Sequence, residues 1–118
     1  MAGLEAAGAG GTMADPFEIV EEEARMQLAD VGARLTQWRV LAASGKDKAR
    51  ASKMGDAILG VISELSVDLD DMAATVGIAA KDPAKFGLSG AEISRRQQFV
   101  RASRAQAAEI RAEVEGTP

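Results

Sequence analysis

The sequence predicts an all-α fold, an antiparallel up-down-up three-helix bundle, on three observations. Three long segments carry apolar residues at steps of three and four, no segment alternates apolar and polar with period two, and the breaks between the segments are short. Composition agrees. Good helix formers dominate, whereas the β-branched and aromatic residues of sheet proteins are sparse, with three Phe, one Trp and no Tyr. At 118 residues the chain suits one domain with a single core.

Residues 1–13 are rich in Ala and Gly and offer little to bury. They are expected to be a disordered tail, and two readings stand: a native flexible terminus, or an added leader ahead of a second start at Met13. The bundle is expected over 14–118, with helices at about 15–43, 47–81 and 89–115.

The first helix begins at Asp15, a favoured N-cap, with Pro16 at the first helical position and Glu18 three residues after the cap. Phe17, Val20, Ala24, Leu28, Val31, Leu35, Trp38 and Ala42 form its inward stripe. The run Glu21, Glu22, Glu23 lies in the early turns, where acids complement the helix dipole. Residues 44–48, SGKDK, break the helix. The second carries Met54, Ile58, Val61, Leu65, Leu69, Met72, Val76 and Ala79 on one face. Within it Gly55, Gly60 and Gly77 each cost about 1 kcal/mol relative to Ala, so tertiary packing must hold the helix or the glycines mark close approaches of a neighbour.

Asp82-Pro83 ends the second helix, because a residue before proline is pushed away from helical angles. In the following loop Phe86 and Leu88 are expected to plug the end of the core. Ser89 and Glu92 then form a capping box. The third helix has the poorest seam: Ile93, Val100, Ala107 and Val114 at seven-residue spacing, with Phe99 and Ile110 beside them.

Several function classes are disfavoured. With no Cys and no His, the chain lacks thiolate ligands, the usual proton shuttle near neutral pH and the commonest metal ligand. No catalytic residue, cofactor site or metal site is assigned, and the chain is not read as an enzyme. Glu64, Asp68, Asp70 and Asp71 are clustered, but carboxylates on a helix diverge rather than converge on an ion, so they read as a solvated face. A net charge of −4 argues against nucleic acid as a partner. No stretch has the roughly 20 apolar residues that span a bilayer, nor the greasy centre of a secretory signal.

Candidate binding residues fall into two sets. Ile19, Met26, Ala33 and Val40 repeat every seven residues opposite the main stripe of the first helix, and Val67 and Ile78 lie off the core face of the second. Such a strip either receives a partner helix or consists of scattered exposed apolars. On the third helix Arg101, Arg104 and Arg111 form one basic stripe, either an ordinary charged face or a dock for an acidic partner or anionic lipid. Arg96 falls near the seam and is expected to lay its stem over apolar neighbours and reach an acid on the second helix.

Certain residues are more specific than periodicity. Met13-Ala14-Asp15-Pro16-Phe17 with Gln37-Trp38, the D-L-D-D turn at Asp68–Asp71, the D-P-x-K-F loop at Asp82–Phe86, and Glu92-Ile93-Ser94 leading to Phe99-Val100 together resemble the N-terminal domain of syntaxin-6-type SNAREs. The resemblance covers roughly 13–115, with its weakest fit at 41–55, and Arg95 stands where the family looks apolar. It implies an antiparallel three-helix domain ahead of a SNARE motif and a C-terminal membrane anchor, monomeric in isolation. It also implies a role in vesicle fusion on the cytosolic face of trans-Golgi and endosomal membranes, with other SNAREs and tethering-complex subunits as partners. The membrane is met only through the missing anchor. The rival reading is a free-standing helical adaptor or scaffold unrelated to fusion.

Overall fold

The computed structural model describes residues 15–116. Three α-helices make up the bundle: α1 (Pro16–Ser44), α2 (Lys48–Lys81) and α3 (Gly90–Glu115). A short 3₁₀ turn, Pro83–Phe86, joins the last two. The tail expected over 1–13 lies outside the described residues.

Each helix starts on a side chain able to satisfy a backbone N–H that has no partner within the helix. Asp15 Oδ1 accepts from the Phe17 N–H at 2.9 Å, Asp47 Oδ1 from Arg50 at 3.0 Å, and Ser89 Oγ from Glu92 at 3.0 Å. At the end of α1 the chain turns on Gly45, whose φ of 65° suits a residue without Cβ.

Cross-links fix the direction of the three helices. Arg96 near the start of α3 bonds Asp15 at the start of α1, and Arg39 late in α1 bonds Glu113 late in α3, so these two run parallel. Between α2 and α3 the order reverses: Arg104 meets Asp70, while the later Arg111 meets the earlier Ser63. The arrangement is therefore up-down-up. The middle helix packs along both others, whereas α1 and α3 approach each other closely at few places.

The core is a ladder of alternating three- and four-residue steps, the spacing of left-handed helix packing. In α2 it runs Ile58, Ile62, Leu65, Leu69, Met72, Val76 and Ala79, all buried, with Ile58, Ile62 and Leu65 fully enclosed. Phe17, Ala24, Val31, Leu35 and Trp38 face it from α1, and Ile93, Val100, Ala107 and Ile110 from α3. Leu28 packs against this core while remaining partly exposed. The sequence stripes drift by one residue at two points. Where they placed Val20 and Val61, the inner positions are taken by Glu21 and Ile62, and the valines pack at the core margin.

Phe86 is a correction. Expected as an end plug, it is 47% exposed, with Lys85 Nζ 5.8 Å above its ring. The cause is the tight turn. Asp82 Oδ1 caps it, Gly87 closes it at φ 68°, and the Leu88 N–H returns to the Pro83 carbonyl, which swings Phe86 outward and leaves Leu88 as the residue packed on the core.

Of the three glycines within α2, Gly55 marks a close approach. A Cβ there would lie 3.2 Å from both Trp38 Nε1 and Val114 Cγ1, whereas Gly60 and Gly77 have nothing within 4 Å.

Candidate protein-interaction surfaces

A groove runs between α2 and α3. Ile62, Leu69 and Val76 from α2 and Val100 and Ala107 from α3 form its floor, and small residues on its sides, Ser66, Ala73, Gly77, Ala108 and Ala112, keep it open. Two depressions of about 290 and 330 Å³ lie along it and share Arg104 as a wall. From Gln97 to Glu115 the α3 wall is 19 residues long by numbering, about 27 Å at 1.5 Å per residue, enough to lie alongside five turns of helix.

The α3 lip of this groove carries the basic stripe. Arg104 reaches across to Asp70 at 2.7 Å, and Arg111 contacts Ser63 at 3.4 Å and Glu115 at 3.7 Å. Arg101 bonds Gln98 on its own helix. Val67 and Ile78, each 60% exposed, line neither depression and lie on the outward side of α2. Three candidate residues, Arg101, Arg104 and Arg111, thus border one groove.

The three apolar candidates of α1 do not border it either. Ile19, Met26 and Val40 are exposed on the outer face of α1, pointing away from both other helices. In a three-helix bundle that face lies across the core from the groove between α2 and α3, so the α1 candidates and the three arginines mark two separate surfaces.

Between α1 and α3 lies a charged staple that the sequence reading missed. Glu21, buried on the inward stripe of α1, accepts a bidentate pair of bonds from Arg95 at 2.9 and 3.0 Å and one from Arg25 at 2.6 Å. Arg95 also forks onto Glu92. Arg96, buried on the α3 seam, bonds Glu92 at 2.8 Å and Asp15 at 2.6 Å, with its guanidinium 4.5 Å from the centre of the Phe17 ring. The acid expected for Arg96 on the second helix is therefore on α1 and on its own helix instead, because the α3 seam at this end faces the start of α1.

The electrostatics follow from these bonds. The Arg95 hydrogen bonds lower the Glu21 carboxyl, with Arg25 adding to the effect, and outweigh the opposite pull of burial. Arg95 and Arg96 together hold Glu92 down to about 2. Arg95 is raised by Glu21 and Glu92. Burial acts against the charge on Arg96, but Glu92 and Asp15 overcome it and leave its pKa raised. All are charged at neutral pH, so the staple is a structural device with no group poised for proton transfer.

Where this staple sits was open to reading. Glu21 falls four after Phe17 and three before Ala24, on the stripe itself, and Arg95 and Arg96 fall near the α3 seam. Charges of opposite sign on facing apolar stripes are the signature of such a pair.

At the opposite end a depression of about 600 Å³ opens beside Trp38, with Leu59, Gly55 and Val114 around it. Among the described residues no helix is long and apolar enough to cross a membrane.

Comparison with known proteins gives these surfaces their setting. Residues 15–111 match the family described as Syntaxin 6/10/61, N-terminal. A relative, Syntaxin-61 of Arabidopsis thaliana, is 24% identical over 100 residues, which are 85% of this chain and 40% of that protein. The chain thus spans well under half the length of this relative. With nearly the whole bundle, from the Asp15 cap to Arg111 in the last turns of α3, inside the match, the chain belongs to the Syntaxin 6/10/61 N-terminal domain family.

Proposed function

We propose that this bundle is the regulatory, protein-interaction domain of a SNARE acting in vesicle traffic and membrane fusion between endosomes and the trans-Golgi network. In that role it works on the cytosolic face of those membranes, held there by an anchor elsewhere in the protein, and recruits tethers or SNARE-associated proteins by taking one of their helices into the groove between α2 and α3. The observation that carries the reading is the groove itself: an apolar floor, small side chains that let a helix approach, an α3 wall about five turns long, and Arg101, Arg104 and Arg111 along its lip.

The test is affinity capture from a Golgi-enriched extract with the domain and with Ala108→Trp, which fills the groove from an exposed position. Recovery of a tether subunit or SNARE by the unmodified domain, lost with Ala108→Trp at equal helicity, supports the reading. Equal recovery by both removes the groove from it. Recovery of neither class of protein by the folded domain removes the trafficking role.

A further inference from the structure

We infer that the outer face of α1, around Ile19 and Met26, is a second docking surface and that its occupant is a basic amphipathic helix of another protein. Ile19 and Met26 stand two turns apart on one face and are 51% and 64% exposed, although α1 has a complete inward stripe and needs neither for the core. Beside them lie Glu18, Glu22 and Glu23, all exposed and making no ion pair among the described residues. The helix dipole accounts for an acid in the first turn, Glu18, but its influence fades beyond that turn, so it does not account for Glu22 and Glu23 as their early position had suggested.

The cations of α1 are engaged elsewhere. Arg25 turns toward α3, bonding Glu21 and resting 4.6 Å from the centre of the Phe99 ring. Arg34 neutralises Asp30, and Arg39 pairs with Glu113. An apolar strip with acids around it and, among the described residues, no free cation beside it fits a helix carrying apolar residues at i, i+3 or i+4 and i+7 with Lys or Arg flanking them. The same charge excludes the other occupants. Anionic lipid and an acidic helix would be repelled, and a second copy placed face to face would set Glu22 and Glu23 against themselves.

The experiment is a chemical-shift titration of the isotopically labelled chain with three probes. These are a model helix with Leu on one face and Lys on its flanks, the same helix with every Lys replaced by Glu, and vesicles containing phosphatidylserine. Binding of the Lys helix alone, with shifts confined to the α1 amides near Ile19, Glu22, Glu23 and Met26, is the expected result. The Ile19→Ser/Met26→Ser double variant should weaken it by about tenfold or more, as loss of central apolar anchors does. Glu22→Gln/Glu23→Gln should weaken it several-fold and flatten its dependence on salt. Ala108→Trp should leave it unchanged, which separates this face from the groove. Shifts mapping to the groove, equal binding of the Glu helix, binding of the vesicles, concentration-dependent shifts of the chain alone, or no binding at millimolar peptide would each overturn the assignment.

Discussion

Alanine is a better helix former than glycine, yet Gly55→Ala should fail to stabilise α2 where Gly60→Ala and Gly77→Ala succeed. Removing a glycine from a helix interior gains about 1 kcal/mol from backbone entropy and propensity. At Gly60 and Gly77 a Cβ would meet nothing within 4 Å, so that gain is realised in full. At Gly55 the new methyl would sit 3.2 Å from Trp38 Nε1 on α1 and 3.2 Å from Val114 Cγ1 on α3, inside the ordinary contact distance of roughly 3.5–4.0 Å. Relief requires two helices to give, and Trp38 is itself buried in the core. Overpacking of this kind costs about 1–3 kcal/mol, so the net lies between neutral and about 2 kcal/mol destabilising. Thermal unfolding followed by far-UV circular dichroism reads the series. Gly60→Ala and Gly77→Ala should each raise Tm by roughly 4–8 °C, the shift that 1 kcal/mol produces in a domain of this size, while Gly55→Ala stays level or falls. A rise for Gly55→Ala equal to the other two would refute the close three-helix approach at that position.

Three further outcomes are expected. Arg95→Leu should destabilise the bundle by about 1–3 kcal/mol in urea titrations, because it leaves the buried Glu21 carboxylate with Arg25 alone, whereas Arg95→Leu with Glu21→Leu should recover most of the loss. Phe86→Ala should change stability by less than about 1 kcal/mol, far below the roughly 3–5 kcal/mol of a core phenylalanine, since its ring lies half in solvent. Glu92 is held at about 2 in the folded state against an ordinary 4.5, so its contribution is complete above the ordinary value and is lost as pH falls toward about 2. Glu21, also lowered, acts in the same direction. Unfolding measured from neutral to acid pH should show that loss below about pH 5, and Glu92→Gln should make the acid limb shallower.

How much of this was legible in the sequence follows from the kind of signal each residue leaves. Helix periodicity and caps are local, and Asp15, Asp47 and Ser89 open helices through bonds to residues two or three places on. The direction of packing was legible because short connections leave three amphipathic helices little choice. Phe86 was not, because its outward turn depends on the geometry of four residues closing on Gly87 rather than on hydrophobicity. The staple was readable in part: Arg96 was placed on the seam, but its partners lie 81 positions away and on its own helix, and a stripe of one helix does not say which neighbour faces it. The two candidate surfaces show the same limit. Spacing placed Ile19 with Met26 and Arg104 with Arg111, but only the packing of α2 on α3 shows that the arginines border a groove, while Val67 and Ile78 lie outside it.

Asp15 holds two posts at once. One carboxylate oxygen caps α1 through the Phe17 amide and the other receives Arg96 from α3, whose guanidinium also lies over the Phe17 ring. The start of the first helix is therefore fastened by the third, and the first turn of α1 is complete once α3 has docked. Amide hydrogen exchange in that turn then follows the opening of α3 rather than the fraying expected of a helix end, and the starts of α1 and α3 exchange as one cooperative unit. A protein that grips α3 and draws it off the bundle would also loosen the first turn of α1, although it never touches that helix.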